Sequence, residues 1–496
     1  MKKDKTAVII GAGIAGITTA IYLAREGIDV TVYEKNSFPG GRCGQILRDG
    51  HRFDLGATIF LMPGIYRKVF KSLGLTMDDC FESTPLSTLY TMHFGDGTSL
   101  CFSTDKSVLK EELEKVEKGS FEKSQQFIKT GYHLFQLSMD HLLGRNFYRM
   151  RDFVTLDNAL LLLRLKTYMK HMTLVKRYFK NKNLQKAFSF QNIYVGQNPY
   201  KAPALFAMLP AAELTEGSLF PAGGMFTITE KMMSLAIEAG AHFIYSTPVA
   251  RIQTNGDHVN GIVLQNGQTV TADLVIANAD LPYVYRELLP DKRKSKRIEN
   301  LRYSCSAIVI HWGLDKVYPQ FSHHNVFLSD DYENNLDKIF NDQSISDHPS
   351  FYVHAPVRSD PKAAPAGQDS ISIIIPSGHY SEKYDHNWNE LKNKARTSVI
   401  SRLKKLGMTD IEEHIKFEIC FLPQTWKTIF NLSKGATFGS LGHSIFQMGY
   451  FRPHNRHNRY KNLYFAGGST HPGSGIPLVL LSAQLTSERI IKEFSS

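Results

Sequence analysis

The pattern of apolar and polar positions predicts a strand, a tight turn, a helix and a second strand at the start of the chain. Residues 7–10 form a short apolar run, and residues 14–26 carry apolar side chains at helical spacing. Residues 30–33 alternate as a second strand that ends at Glu34. This order indicates the beginning of a βαβ unit in an α/β protein.

Further along the chain the pattern changes twice. Helical spacing dominates between residues 74 and 217, and β-like runs return from residue 240. The strands predicted from there on are residues 242–245, 249–254, 259–264, 269–276, 307–311, 371–375 and 463–466. Asn255-Gly256 and Asn266-Gly267 are hairpin turns, a charged helix lies near residues 390–406, and an apolar helix begins near residue 479.

The composition narrows the class of protein. A chain of 496 residues is long enough to bury a sizeable core in two or three domains. Its five cysteines are odd in number, scattered and never spaced as C-x-x-C, which argues against a disulfide framework or a zinc site, so no metal is expected. The net charge of +11 suits an anionic membrane or an acidic ligand, and no nucleic-acid motif accompanies it.

The uncharged stretch from residue 7 to residue 24 resembles a signal peptide or an anchor. Two features argue against that interpretation. Gly11, Gly13 and Gly16 interrupt the stretch in the spacing G-x-G-x-x-G, and no small-residue cleavage pattern follows. These glycines permit a tight turn, close backbone approach to a pyrophosphate and close packing of helix on strand. Because Glu34 ends the next strand, where it can accept a hydrogen bond from a ribose hydroxyl, we expect a dinucleotide site.

Two further glycine motifs accompany the first. Gly40-Gly41-Arg42 offers close backbone approach and a fork of donors for phosphate oxygens. Near the end of the chain, residues 463–466 run as a strand into a glycine-rich turn that extends to Pro477. Three separated glycine motifs in this order resemble the FAD-binding amine oxidase and carotenoid desaturase superfamily.

At the level of the family, the chain resembles the bacterial-type phytoene desaturases. The resembling stretches span nearly the whole chain: residues 53–56, 186–190, 195–199, 220–224, 278–280, 451–455 and 470–473. Two positions depart from the family pattern. Ala57 stands where proline is frequent, and Leu478 stands where many members have glycine, which leaves the particular substrate open.

The resemblance implies an α/β fold with FAD as cofactor. It implies a discontinuous Rossmann-like FAD-binding domain (residues 1–75, 220–300 and 440–496) and a mixed α+β substrate-binding and membrane-associating domain (residues 76–219 and 301–439) with a helical membrane-associating region. The residues expected to contact FAD are Gly11, Gly13, Ala15, Gly16, Glu34, Lys35, Gly41, Arg42, Val249, Gly467, Gly468, Gly475 and Ile476.

The implied reaction removes two hydrogens from a carotenoid polyene, by hydride transfer from an allylic carbon to the flavin and loss of a proton. Glu213 and His471 are candidate proton acceptors, although each also fits a structural role and water could accept the proton. The alternatives left open are a C30 or hydroxylated carotenoid desaturase, a carotenoid cis–trans isomerase, an amine oxidase, and a non-catalytic carotenoid-binding protein that keeps FAD.

The partners follow from the insolubility of the substrate. We expect a cytoplasmic protein that lies on the inner face of the cell membrane, with a quinone or oxygen as electron acceptor. A basic helical region would rest on anionic lipid, unless it is merely a solvated face. Its bases are Arg145, Arg149, Arg151, Arg164, Lys166, Lys170, Lys176, Arg177, Lys180, Lys182 and Lys186.

Overall fold

A computed structural model describes residues 5–150, 153–381 and 386–494 of the chain. Its strands are β1 (Thr6–Ile10), β2 (Asp29–Tyr33), β3 (Gln45–Arg48), β4 (His51–Asp54), β5 (Ser83–Leu86), β6 (Thr88–His93), β7 (Ser99–Ser103), β8 (Ser218–Pro221), β9 (His242–Ile244), β10 (Val249–Asn255), β11 (His258–Leu264), β12 (Thr269–Thr271), β13 (Leu274–Ala277), β14 (Ser306–Leu314), β15 (His324–Phe327), β16 (Phe351–His354), β17 (Asp369–Ser377), β18 (Ile415–Phe421) and β19 (Leu463–Phe465).

The α-helices connect and cover these strands. They are α1 (Ile14–Arg25), α2 (Pro63–Ser72), α3 (Lys106–Val116), α4 (Ser120–Ser138), α5 (Leu156–Arg164), α6 (His171–Tyr178), α7 (Lys182–Ala187), α8 (Met208–Glu216), α9 (Phe226–Glu238), α10 (Leu281–Tyr283), α11 (Lys292–Glu299), α12 (Tyr332–Phe340), α13 (Trp388–Lys405), α14 (Pro423–Phe430) and α15 (Ile476–Phe494).

A five-stranded parallel sheet with the order β19-β13-β1-β2-β9 forms the first layer. Strands β19, β13 and β1 are buried, mainly apolar runs because helices and the β10-β11-β12 sheet cover both faces of the sheet there. Helix α1 packs against α9 and α15 on one face. These strands come from all three segments assigned to the FAD-binding domain, so the Rossmann-like, discontinuous fold is confirmed, while the domain boundaries stay a prediction.

Two predicted elements differ from the structure. The run at residues 269–276 is not one strand: β12 pairs with β11, and β13 pairs with β1 in the parallel sheet. The chain changes sheets at Asp273, whose carboxylate accepts hydrogen bonds from the backbone N–H and the hydroxyl of Thr6. The last helix begins at Ile476 rather than near residue 479, since Pro477 is tolerated in its first turn.

A seven-stranded mixed sheet, β18-β14-β17-β16-β15-β6-β7, forms the second large layer. Every residue of β14 is buried, because α13 and the apolar cluster around Trp312 cover one face and the rest of the protein covers the other. The predicted strands at residues 307–311 and 371–375 are confirmed as the centres of β14 and β17.

Helices α4 to α8 form a third region beside this sheet. Helix α4 approaches α8 closely at Gly131, where a Cβ atom would lie 2.4 Å from the carbonyl oxygen of Ala207. The leucines at residues 160–163 lie on α5, whose N-terminus is capped by the side chain of Thr155. In the described part of the chain, no helix combines the length and the apolar character that a membrane crossing requires.

Candidate active site

One cavity of about 490 Å³ runs between the parallel sheet and the seven-stranded sheet. All three glycine motifs contribute to its wall, although they are far apart in the sequence. Of the residues expected to contact FAD, all line the cavity except Ala15 and Gly16, which lie inside α1 behind the wall. Val249 lines it at the start of β10, and Gly475 and Ile476 line it at the start of α15.

The loop between β1 and α1 has the geometry of an anion site. Gly11 has a φ of +99°, which favours glycine, and a Cβ atom at Gly16 would lie 2.2 Å from the carbonyl oxygen of Gly11. Helix α1 starts at Gly13 with no side-chain cap, so the N–H groups of its first turn remain available to a phosphate.

Asn278 completes this loop from the end of β13. A Cβ atom at Gly13 would lie 2.9 Å from its Oδ1, and one at Gly16 would lie 2.8 Å from the same atom. Its backbone N–H donates to Ile10 at 2.8 Å, and its Nδ2 donates to the carbonyl of Ala466 at 3.0 Å. Asn278 therefore joins the first and third glycine motifs, a role that the sequence analysis did not assign to it.

Glu34 and Lys35, the two residues that follow β2, have different hydrogen-bond partners. The buried carboxylate of Glu34 accepts hydrogen bonds from the backbone N–H groups of Ala12 and Asn36, both at 2.8 Å. These bonds hold Glu34 in the cavity wall beside the glycine loop. Lys35 also lines the cavity, but its ammonium group donates to the carbonyl of Thr428 at 2.7 Å.

Arg42 links the second glycine motif to the third. Its Nη1 donates to the carbonyl of Thr437 at 2.6 Å, and a Cβ atom at Gly468 would lie 3.4 Å from its Nη2. Burial lowers the pKa of Arg42, and the nearby carboxylate of Asp280 opposes that shift. The guanidinium thus lies at the cavity wall next to a glycine backbone.

The residues of this part of the cavity fit a flavin dinucleotide. Among the described lining residues, five buried side-chain oxygens have no hydrogen-bond partner: Asn278 Oδ1, Thr437 Oγ1 and Ser474 Oγ in this part, and the hydroxyls of Tyr194 and Tyr332 elsewhere in the wall. Buried polar atoms are normally paired, so a polar ligand here would satisfy the first three. Together with the glycine cradle and Arg42, they suit a group with phosphates, hydroxyls and a polar ring.

Beyond the glycine motifs the wall of the cavity is predominantly apolar. It includes Phe135, Leu142 and Phe206 from one hydrophobic cluster, and Val326 and Leu336 from another. Among the described lining residues, the only acidic side chains are Glu34 and Asp280, both at the dinucleotide part. The sequence analysis did not identify these apolar residues, because they come from helices and strands without a motif.

The two positions that depart from the family pattern both lie in this wall. Ala57 and Leu478 line the cavity. Leu478 follows the third glycine motif, and its Cδ1 would lie 3.3 Å from a Cβ atom at Gly473. Both side chains therefore affect the shape of the cavity, and Leu478 does so beside the glycine turn.

Glu213 lies one layer behind the cavity wall, on α8. Its Oε2 accepts a hydrogen bond from Tyr90 at 2.9 Å, and Gln191 donates to the Tyr90 hydroxyl at 2.7 Å. Burial raises the pKa of Glu213 to about 8. Tyr194, which lines the cavity, lies close to this carboxylate, and both the Tyr194 hydroxyl and Glu213 Oε1 are buried without a bonded partner.

His471 is placed differently. Its Nε2–H donates to the carbonyl of Arg145 at 2.9 Å, and its ring meets Phe147 edge to face at 5.3 Å. Burial lowers the pKa of His471 to about 3, and its side chain does not line the cavity. This placement favours packing over proton transfer, and a catalytic role for His471 stays a prediction that the geometry does not support.

Three buried histidines lie close together: His324 on β15, His354 on β16, and His323 immediately before β15. His323, His324 and His354 place one ring nitrogen each within 4.8 Å of the others, and the Nε2 atoms of His323 and His354 are 3.2 Å apart. The positive charges of Arg358 and Arg52 lower the pKa of His323 and His354, beyond the lowering caused by burial. Those charges disfavour a further cation there, and the expectation of no metal stays a prediction.

The fold and the cavity define a flavin-dependent oxidoreductase, and comparisons with known proteins agree. The model of the family described as "Flavin containing amine oxidoreductase" matches residues 14–491, so the chain belongs to that family and its cofactor is FAD. The chain is 38% identical to the zeta-carotene-forming phytoene desaturase of Myxococcus xanthus, over 98% of this chain and 93% of that protein.

Two other proteins are similar to this chain, one in sequence and one in fold. The chain is 32% identical to the 4,4'-diapophytoene desaturase (4,4'-diaponeurosporene-forming) of Staphylococcus aureus strain Newman, with 98% of each chain covered. The solved structure of cyclohexylamine oxidase from Brevibacterium oxydans IH-35A superposes with a TM-score of 0.62 at 15% identity, over 100% of both chains. That second likeness shows the fold alone.

We expect Gly13→Ala to weaken FAD binding at least tenfold, because the new methyl group would press on Asn278 Oδ1 and push the loop away from the cofactor. Tenfold corresponds to about 1.4 kcal/mol. Titration of the apoprotein with FAD, followed by flavin fluorescence, measures the change. Gly27→Asn, at a left-handed position in open space, is the matched control and should bind FAD like the wild type. Equal FAD affinities for Gly13→Ala and Gly27→Asn would contradict the role of Gly13 in holding the cofactor.

Proposed function

We propose that this protein is an FAD-dependent carotenoid desaturase, which introduces C=C bonds into a long polyene. The observation that supports this most is that the dinucleotide site continues into a predominantly apolar part of the same cavity, and no acidic side chain is among the described lining residues of that part. A polyene needs such a dry, unpolar space, and specificity then depends on length and shape. The desaturase names of the similar proteins point the same way.

The chemistry divides between cofactor and chain. When bound, FAD accepts the hydride equivalent that leaves the allylic carbon of the substrate. We propose that Gly11, Gly13, Gly41 and the Gly467-Gly468 turn hold it by close backbone approach, with Arg42 beside the phosphate region. The apolar side chains of the cavity orient the polyene and exclude water.

The particular polyene depends on the end of the cavity. Leu478, beside the third glycine motif, and Ala57 both line the cavity, so they are our candidates for selecting the substrate. A C40 polyene is the first candidate, and a C30 or hydroxylated polyene is the second. An isomerase on the same scaffold would use the same space without lengthening the chromophore.

An amine oxidase is the alternative that the wider family suggests. An amine substrate is a cation, and a buried cation needs a carboxylate or an aromatic cage. The apolar part of the cavity offers no carboxylate among its described lining residues, so only aromatic side chains such as Tyr194 and Phe206 could meet an amine there, and the amine assay below decides between the two substrates.

We expect the FAD-loaded enzyme to convert phytoene or diapophytoene in liposomes into coloured products with longer chromophores. Chromatography with absorption spectra identifies the products, and amines assayed for peroxide release provide the comparison. Products with an unchanged chromophore would point to an isomerase, and turnover of amines alone would contradict the proposal.

The proton that leaves with the hydride needs an acceptor, and we propose Glu213, acting through Tyr194. Tyr194 reaches the cavity, while Tyr90 and Gln191 orient the carboxylate from behind. Since burial raises the pKa of Glu213 to about 8, the carboxyl group is protonated near pH 6 and ionised above pH 8. Only the ionised form accepts a proton.

We expect kcat/KM to rise with pH through about 8 in the wild type, and Glu213→Gln to lose this rise together with at least tenfold of the activity at pH 8.5. Tyr194→Phe should lower activity without unfolding the protein. A pH–rate profile with bound FAD held constant measures both effects. Unchanged turnover in Glu213→Gln would remove Glu213 from the mechanism.

A stability measurement separates the effect of Glu213 on folding from its proposed role as proton acceptor. The pKa of Glu213 is higher in the folded than in the unfolded protein, so its favourable contribution is complete below about pH 4 and declines as the pH rises toward 8. Glu213→Gln should therefore gain in melting temperature relative to the wild type between pH 5 and pH 8, even while it loses activity.

A docking face for the membrane is our proposal for how the polyene enters. Leu156, Leu160 and Leu163 project from α5 with exposed fractions of 77%, 44% and 59%. Phe446 is 76% exposed and contacts Phe451. Phe451 lies two positions after Gly449, which is a residue of the cavity wall. We define these four residues, three leucines and Phe446, as the docking face.

The docking face connects to the cavity through aromatic contacts. Phe451 meets Phe153 at 5.4 Å, and Phe153 belongs to the apolar cluster that also contains the lining residue Leu142. Arg164 is an exposed base on the same helix, and Lys170 is an exposed base shortly after it. Each base near an anionic bilayer contributes about 1 kcal/mol.

The basic region is smaller than the sequence analysis predicted. Lys186 is half-buried and donates to the carbonyls of Ser329 and Asp330 at 3.1 and 3.2 Å, so it does not belong to a free surface. Arg151 lies outside the described residues.

A quinone in the same bilayer, or oxygen, would then take the electrons, and the protein would lie on the inner face of the cell membrane.

We expect replacement of Leu156, Leu160 and Leu163 by serine to lower partitioning onto anionic liposomes at least tenfold, because each methylene inserted into lipid contributes about 0.8 kcal/mol. Flotation with lipid of varied charge and salt measures this. Ile237→Ser, at an apolar side chain that is 58% exposed on α9, is the control and should float like the wild type. Equal loss in both variants would contradict the docking face.

A further inference from the structure

Arg452 is a fully buried cation without a carboxylate partner. Its Nε donates to the carbonyl of Thr470 at 2.7 Å, and its Nη2 donates to that of Gly468 at 2.5 Å. Its Nη1 donates to the carbonyls of Gly442 and Gln447, each at 3.3 Å. Among the described residues no acid forms an ion pair with it, so the guanidinium brings one unneutralised positive charge to the third glycine motif.

His443 lies next to this cation and in the cavity wall. It follows Gly442, which Arg452 binds, and a Cβ atom at Gly473 would lie 2.9 Å from its Nε2. Burial and the charge of Arg452 hold the pKa of His443 well below its usual range, so the ring is neutral. A neutral imidazole always carries one N–H donor and one acceptor.

Neither ring nitrogen of His443 has a hydrogen-bond partner among the described residues, and both are buried. The Val195 carbonyl is close enough to influence the pKa of His443, but it lies outside hydrogen-bond geometry. A buried, unpaired N–H is rare in proteins and indicates a missing partner. A polyene has no acceptor to offer, whereas the isoalloxazine ring of FAD has several.

We propose that His443 and Arg452 form an electrostatic pair for the isoalloxazine ring of FAD. The His443 N–H donates to the polar edge of the ring, and Arg452, a positioning residue behind the wall, favours negative charge there. A hydride carries two electrons and one proton, so its transfer to neutral oxidised flavin adds one negative charge to the ring. The pair therefore raises the reduction potential of the bound cofactor.

The test uses the FAD-loaded full-length enzyme and no polyene. His443→Phe removes the donor, His443→Gln keeps an amide donor, and His454→Gln changes a neighbouring histidine that does not line the cavity. We expect the affinity of the flavin for sulfite, which also places negative charge on the ring, to fall at least tenfold in His443→Phe only. The midpoint potential should fall by about 30 mV for each tenfold loss in the ratio of reduced to oxidised affinity.

Arg452 is tested in the same way. Arg452→Met should lower sulfite affinity and potential as His443→Phe does, and Arg452→Lys, which keeps the charge, should recover part of the loss. If Arg452→Met does not fold, the His443 variants decide alone. Loss of FAD by His443→Phe with retention by His443→Gln also supports the contact. Unchanged potential and sulfite affinity in His443→Phe with FAD bound overturns the proposal.

Because these measurements need no substrate, their failure is distinguishable from failure of the proposed desaturase activity. A polyene that is not turned over would leave the potential shift intact. An unshifted potential beside normal desaturation would remove only the His443–Arg452 pair.

Discussion

The packing of Asn278 against the glycine loop is the contact on which the rest of the site depends. Its side chain fills the space that the absent Cβ atoms of Gly13 and Gly16 leave, and its amide holds the carbonyl of Ala466. Three distant parts of the chain meet at this one residue. Without that close approach, the first turn of α1 and the C-terminal glycine turn could not face the same cofactor.

From this contact the division of the cavity follows. Polar groups concentrate where the glycine motifs meet, and buried charges such as Arg42 lie beside Asp280 or, like Arg452, among backbone carbonyls. The remaining wall is predominantly apolar because helices α4, α8 and α12 and the seven-stranded sheet contribute mainly core-type side chains. One end of the space thus suits a charged dinucleotide and the other an uncharged chain.

Local patterns in the sequence predict much of this, and tertiary contacts decide the rest. The βαβ unit and the first two glycine motifs follow from spacing within a few residues, and most of the residues that the family resemblance assigns to FAD line the cavity. The single strand at residues 269–276 was wrong because the choice between two sheets depends on the bond of Asp273 to Thr6. Tyr194 and His443 were missed because their role depends on neighbours that lie far away in the sequence.

The most direct test of desaturation by this protein is to mix the FAD-loaded enzyme anaerobically with phytoene in liposomes and to follow the absorption spectrum. We expect the flavin bands to bleach while the polyene gains one C=C bond, and with it a longer chromophore, for each flavin reduced. A bound flavin that stays oxidised with each of the C40, C30 and hydroxylated polyenes would contradict it, and would leave a protein that holds FAD and an apolar ligand without reaction.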